Sequence, residues 1–264
     1  MKDFKVAEIV PVEQLEDIAS NHYHMCLAHL VATNGIQAQR YTEFYRRMSD
    51  EGKYVLMDNG AAEGRQLNYD RLFRQYEEIH PSEIVVPDTL NDANDTLAKM
   101  FSWLGQFIGL PYRFMAVPQG KTFEEWKACA YIMMQEKRIN TIGISKFLNI
   151  ATGDETIRHQ AVQYLDEIAD KLGRDDIEYH LLGCDEGPGI VGGIQSISKR
   201  VRGCDSAFAY IASKAEVVIE RNTKRPAGTI DFLNDARLDG FIPNSYAFEG
   251  ICGVLSNTNG KEWK

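Results

Sequence analysis

The sequence predicts a (β/α)8 barrel, a TIM-like fold in a single domain. Three observations predict it. The chain has 264 residues, and a barrel of this kind takes about 250. Short apolar runs of strand length alternate with longer stretches of helical period along most of the chain. Many of those runs end in Asp, Gln or Gly, the polar punctuation that a barrel gathers at the carboxyl ends of its strands.

The elements follow in order. A strand is expected near 5–10. The run CLAHLVAT at 26–33 reads as a second strand and 42–51 as a helix. YVLM at 54–57 is a strand that ends at Asp58-Asn59-Gly60. Residues 68–80 are helical, with Leu72, Tyr76 and Ile79 on one face. EIVVP at 83–87 is a strand ending at Asp88, followed by a helix over 92–107. RFMAV at 113–117 is a strand ending at Pro118-Gln119-Gly120. Thr122 with Glu125 forms a capping-box pattern that opens a helix to about 136. TIGI at 141–144 is a strand, and 154–172 is a helix closed by Gly173. IEYHLL at 177–182 is a strand ending at Gly183, before a Gly-rich loop and a short helix. Residues 201–204 form a short strand ending at Asp205, and Ala-rich 207–220 is helical. The stretch 228–264 is less regular.

This repetition means parallel strands joined by crossover helices, seven or eight of them. An open doubly wound sheet is the structural alternative. No GxGxxG or GxxxxGK follows any strand, which weighs against a nucleotide-binding open sheet. No linker rich in Pro, Ser or Gly and no internal repeat divides the chain, so one domain is expected over 1–264.

Composition narrows the class. The chain is 44% hydrophobic and 25% charged, ordinary for a globular protein. No apolar run reaches the ~18 residues of a membrane span, and the N-terminus lacks an apolar h-region. A cytoplasmic location is expected. The five cysteines are odd in number, widely spaced and without CxxC, so buried or free thiols are expected rather than disulfides or a zinc knuckle. Net charge is −9, against a globally basic nucleic-acid binder. Between Lys199 and Arg225, however, seven bases face three acids.

The residues placed just after strands are the candidates for chemistry: Asp58, Asp88, Gln119, the Gly143-Ile144 backbone, Gly183 and Asp205. Three carboxylates and an amide at one mouth suit a polar, nitrogen-rich ring. A partly desolvated carboxylate suits attack at a sugar carbon. Each also has a plainer reading. Asp58-Asn59-Gly60 suits a turn, Asp88 and Asp205 suit helix caps, and Gln119-Gly120 suits a loop. His29 and His180, inside strand runs, read as core histidines. The aromatics at Phe44, Tyr45, Tyr69, Phe73, Tyr76, Trp103 and Trp126 read as packing.

In their order these motifs resemble the tRNA-guanine transglycosylases. Met57-Asp58-Asn59-Gly60 looks like the family's Asp-Ser-Gly strand end. Ile84-Val85-Val86-Pro87-Asp88 looks like the strand whose Asp reads guanine. Val117-Pro118-Gln119-Gly120 is similar to V-Q-G with one inserted proline. Thr141-Ile142-Gly143-Ile144 is similar to the glycine strand that touches the base, and Tyr179-His180-Leu181-Leu182-Gly183 to the strand after it. Gly203-Cys204-Asp205-Ser206-Ala207-Phe208-Ala209-Tyr210 looks like the nucleophile strand. The likeness covers roughly 24–215. Asn59 stands where Ser is usual, and the family's zinc ligands and extra RNA-binding domains are missing. That compact pattern resembles the phage and bacterial DNA-modifying branch.

The resemblance implies a base exchange that replaces guanine in nucleic acid, DNA favoured over tRNA, with a 7-deazaguanine. Asp205 would attack C1′ and Asp58 would act as general acid/base. Asp88, Gln119, Gly143, Ile144, Asn59 and Gly183 would hold the base. Lys199, Arg202, Arg221, Lys224 and Arg225 would hold phosphates, with no metal or redox cofactor required. A homodimer is a further expectation. Two competing readings stay open. One is a metal-dependent barrel hydrolase built on His22, His24 and Asp205. The other is a barrel that binds nucleic acid or a free base without catalysis.

Overall fold

A computed structural model describes residues 4–109, 112–154 and 156–254. Eight parallel strands form a nearly closed barrel with helices alternating around it: a single-domain (β/α)8 fold. The strands are β1 (Lys5–Glu8), β2 (Tyr23–Leu27), β3 (Tyr54–Asp58), β4 (Glu83–Val85), β5 (Arg113–Ala116), β6 (Ile139–Ser145), β7 (Glu178–Leu182) and β8 (Val201–Ser206). Each pairs with the next from β2 to β8, and β8 returns to β1. The β1 and β2 strands lie side by side and complete the ring without ladder pairing.

The helices are α1 (Ala28–Val31), α2 (Ile36–Asp50), α3 (Tyr69–Ile79), α4 (Ala93–Gln106), α5 (Phe123–Gln135), α6 (Phe147–Thr152), α7 (Ile157–Leu172), α8 (Pro188–Gln195), α9 (Phe208–Lys214) and α10 (Phe241–Val254). Local chemistry sets several boundaries. The Asn68, Asp92 and Thr122 side chains each accept the backbone N–H three residues on, capping α3, α4 and α5. Gly173 closes α7 with a left-handed φ of 62°. The Glu125 carboxylate accepts the N–H of Lys121, one residue before the cap.

Several sequence expectations are corrected. The second strand starts three residues earlier than the run CLAHLVAT and ends at Leu27, and Ala28–Val31 form one helical turn. His29 is therefore on a half-buried helical turn, not in a strand. An apolar run without alternation fits a strand or a buried helix equally well, and this one is half of each. The α9 helix stops at Lys214 instead of 220. The irregular region contains α10, which lays Phe241, Phe248 and Cys252 on the core. Its last ten residues, 255–264, lie outside the described residues.

All five cysteines are buried free thiols. Aromatic helix faces pack as expected, with Tyr69 and Tyr76 edge-on to Trp103 at 5.5 and 5.6 Å. No helix among the described residues is long and apolar enough to cross a membrane.

The amino-terminal half of the barrel interior is filled by a buried polar cluster. Arg202 pairs with Glu83 and, at 3.2 Å, with Glu178, and it donates to the Tyr54 hydroxyl at 3.1 Å. Thr141 donates to Glu83 at 2.5 Å. Beside this cluster β8 must approach β1 closely, and Gly203 allows it. A Cβ there would lie 2.2 Å from the Lys5 carbonyl oxygen. Gly203→Ala is therefore expected to destabilise by about 3 kcal/mol or more, because the obstacle is backbone rather than a movable side chain. Urea unfolding checks this; an unchanged midpoint would mean that the two strands can separate there without cost.

Candidate active site

The carboxyl ends of the strands meet around one cavity of about 290 Å³. Its inner wall is apolar, formed by residues such as Met25, Leu27, Val85, Val117 and Leu182. Asp58 ends β3 and Asn59 follows it. Asp88 and Gln119 each lie three residues past β4 and β5. Lys146 follows β6, Gly183 follows β7, and Asp205 is the penultimate residue of β8. All of these line the cavity, with Glu63, Asp185 and Arg225.

Asp205 is almost wholly buried. Its Oδ1 lies 3.1 Å from His180 Nε2, and the Gly183 N–H donates to Oδ1 and Oδ2 at 3.2 and 3.1 Å. Gly183 adopts a left-handed φ of 66°, and the stem of Lys146 lies where a Cβ would go. The Lys146 ammonium pairs with Asp185 at 2.6 Å, and Arg225 pairs with the same carboxylate at 3.0 Å. Two cations thus flank one acid on the wall of an otherwise acidic pocket.

Asp88 is a buried acceptor whose partners are already in place. Asn59 donates to Oδ1 at 2.8 Å and Gln119 to Oδ2 at 2.6 Å. Asn59 also donates to the Val86 carbonyl, and its own oxygen accepts from Ala61. The Gln119 oxygen accepts from Asn91. Burial raises the Asp88 pKa, and the two amides pull it part of the way back.

Asp58 differs. Its pKa is pushed up to about 8, chiefly by burial and next by the nearby Glu63 carboxylate, with the Gly60 N–H opposing both. Glu63 is itself raised, first by loss of water around it. At neutral pH Asp58 therefore carries a proton that an ordinary aspartic acid has lost. The folded protein keeps this proton between pH 4 and 8 while the unfolded chain releases it, so stability falls as pH rises through that window. Asp58→Asn removes the penalty. It is expected to match the native protein at pH 4 and exceed it at pH 8.5 by about 2 kcal/mol, a figure reduced for exposure to the open cavity. Thermal melts at the two pH values check this; an equal difference at both would contradict it.

The remaining sequence candidates go elsewhere. Gly143 lies beneath the cavity, where a Cβ would meet Leu182, Met115 and Val117 at 2.7–3.0 Å, so it serves packing. The Ile144 carbonyl accepts from the buried Arg158 at 2.7 Å, and its side chain is fully buried. Neither residue lines the cavity, which corrects their expected contact with a base. Arg202 is enclosed in the barrel interior, and Lys199 is exposed before β8 at the opposite end. Neither can hold phosphates at the mouth. Arg221 and Lys224 are exposed on the segment after α9, and Arg225 alone of the five basic candidates lines the cavity.

The hydrolase triad does not assemble. His22 and His24 stand at the amino end of β2, and Asp205 stands at the carboxyl end of β8. His24 Nε2–H donates to the Asn21 carbonyl at 2.9 Å, and the ring packs edge-on to Phe44 and Tyr45. Among the described residues no three His, Cys, Asp or Glu side chains are grouped to hold a metal ion.

Sequence reasoning missed Lys146, Asp185 and Glu63. Lys146 directly follows a strand, so the rule that found Asp58 would have found it too. His180 was read as a core histidine. It is one, but its partners are Asp205 and Tyr23.

Fold and site together define a (β/α)8 barrel with a carboxylate-rich mouth. No family model matches the chain, and no curated protein matches it. Solved structures do. An HpcH/HpaI aldolase from Desulfitobacterium hafniense DCB-2 is 10% identical with a TM-score of 0.54, over 81% of this chain and 90% of that one. An aldolase/citrate lyase family protein from Burkholderia cenocepacia J2315 is 8% identical with a TM-score of 0.54, over 81% and 92%. A monomeric dihydrodipicolinate synthase variant is 10% identical with a TM-score of 0.51, over 82% and 72%.

These similarities establish the fold and say nothing finer about the chemistry of this chain. None of the three is a nucleic-acid transglycosylase. The resemblance to tRNA-guanine transglycosylases is accordingly corrected, together with the base exchange, 7-deazaguanine and DNA-modification functions it implied. The physical source of the error is visible at Asp88. The motif order reports strand-end positions that any such barrel shares, while two side-chain amides already occupy the carboxylate assigned to the base.

Proposed function

We propose that the chain is a proton-transfer enzyme acting on a small, donor-rich molecule that is neutral or cationic. The observation that carries this reading is the contrast between two carboxyl groups lining one cavity. Asp58 is protonated at neutral pH by burial and by Glu63. Asp205 is a carboxylate seated on the Gly183 N–H and His180. The different surroundings divide the roles: buried Asp58 gives a proton, and Asp205, held by its hydrogen bonds, takes one.

In the simplest cycle Asp205 removes a proton from a carbon or nitrogen of the substrate. Asp58 donates its proton to the heteroatom where negative charge develops. The substrate is isomerised, and the two acids have exchanged their proton states. A second transfer through solvent restores them. The apolar wall lowers the local dielectric and strengthens both transfers. Five carboxyl groups, from Asp58, Glu63, Asp88, Asp185 and Asp205, line the cavity against two cations, Lys146 and Arg225, and this acidic excess disfavours an anionic reacting group there.

The test is untargeted. Native protein and Asp205→Asn are each incubated with a fractionated metabolite extract, and masses and isomer retention times are compared before and after. In heavy water the native protein is expected to introduce deuterium into a neutral or basic compound, and the variant is not. Exchange confined to acidic metabolites, or exchange that persists in Asp205→Asn, would contradict the proposal.

A further inference from the structure

The strand β7 places His180 directly beneath Asp205, fully buried in the barrel interior. Its two ring nitrogens face different partners. Nε2 lies 3.1 Å from Asp205 Oδ1, and Nδ1 lies 2.9 Å from the Tyr23 hydroxyl on β2. Arg202 and Glu83 are the other charged groups near the ring. Nothing in the cycle above requires a histidine, yet this one touches the base.

We propose that His180, locked by Tyr23 as the Nε2–H tautomer, is a positioning residue that fixes Asp205 and leaves Oδ2 as its reacting oxygen. This deepens the acid–base reading and rests on it for the word reacting; the hydrogen-bond state itself does not.

The tautomer follows from what each partner can do. A neutral imidazole has one donor and one acceptor. Burial lowers the His180 pKa, so the ring is neutral at ordinary pH. A carboxylate only accepts, so it requires N–H at Nε2. The opposite tautomer would set a ring lone pair against a carboxylate lone pair at 3.1 Å in a site without solvent. Burial pushes the Tyr23 phenol well above its usual range, so it keeps its proton and donates it to Nδ1. Both neighbours thus select the same tautomer.

The consequence is an asymmetry in Asp205. Oδ1 accepts from both His180 and Gly183, and Oδ2 accepts from Gly183 alone. Oδ2 keeps the greater free acceptor capacity for a proton from the substrate. With the ring below and the glycine N–H beside it, the carboxylate is held in one orientation.

The experiment needs no substrate. Nitrogen-15 spectra of labelled protein should show His180 protonated at Nε2 and accepting at Nδ1 from pH 7 to 8. The carbon-13 signal of the Asp205 carboxyl at pH 7 should move in His180→Leu, where a donor to the carboxylate is lost. His180→Gln, whose amide reaches a similar point, should recover most of that shift; a merely space-filling role would give no such recovery. Tyr23→Phe should allow the second tautomer to appear. A dominant Nδ1–H tautomer in the native protein, or an Asp205 carboxyl signal unmoved in His180→Leu, would overturn the proposal. Those outcomes leave the acid–base reading standing if Asp205→Asn still abolishes exchange. Loss of that reading leaves the tautomer and the carboxyl signal to be judged on their own.

Discussion

Asp205→Asn is expected to lower turnover by about 10³-fold while leaving the fold in place. The substitution keeps the shape, and its amide oxygen can still accept from Gly183 or His180. It removes the only property that proton abstraction needs, a basic oxygen in the cavity. Substrate affinity should change far less than rate, because a planar polar group still lines that wall. Asp58→Asn should lose rate by a similar order, for the complementary reason: an amide can donate a hydrogen bond but cannot release a proton to the substrate. The pair should be far from additive, since one group without the other completes no cycle. Rate measurements on the exchange found with metabolite fractions check this. A loss below about tenfold in Asp205→Asn would remove Asp205 from the chemistry.

Arg202→Met is expected to destabilise the protein by about 3–5 kcal/mol. Arg202 and Glu83 are both buried, and Glu83 has no exposure at all. Burial alone would raise the Glu83 pKa, but the Arg202 guanidinium, helped by Thr141 and Arg113, holds it below the ordinary carboxylate value. Removing the cation leaves an anion enclosed by the barrel. The paired variant Arg202→Met with Glu83→Gln should recover much of the loss, since neither charge is then buried alone. The pH dependence has a definite sign. Because the folded-state pKa of Glu83 is depressed, its contribution is present above the unfolded value near 4.5 and is lost as pH falls through the folded value. Native protein should therefore lose stability in acid in a way that the double variant does not. Urea midpoints between pH 3 and 7 test both points. A single variant as stable as the double one would show that the charges are not coupled.

The fold was legible because strand and helix periods differ and because strands in this architecture end in polar residues. That logic placed Asp58, Asp88, Gln119, Gly183 and Asp205 at one mouth, where the structure has them. It failed where a feature depends on which way a side chain turns inside the barrel. Gly143 and Asp205 both lie in strands at the same end, yet one makes room for Leu182, Met115 and Val117 while the other opens on the cavity. Arg202 lies among basic residues close in sequence, but the register of β8 shifts against β7 at this point, and its side chain enters the barrel interior, three residues from Asp205. His180 and Asp205 are 25 residues apart and meet only because β7 and β8 are neighbours. Function was less legible still. Strand-end acids are common to barrels with unrelated chemistries, so their order in sequence reports the architecture before it reports a substrate.

The state of Asp58 carries more of this account than any other single property. Difference infrared spectra between native protein and Asp58→Asn isolate its carbonyl stretch. A protonated carboxylic acid band is expected at pH 6.5, giving way to a carboxylate with a midpoint near 8. A carboxylate already formed at pH 6.5, titrating near the ordinary value of 3.8, would leave the cavity without an acid and contradict it.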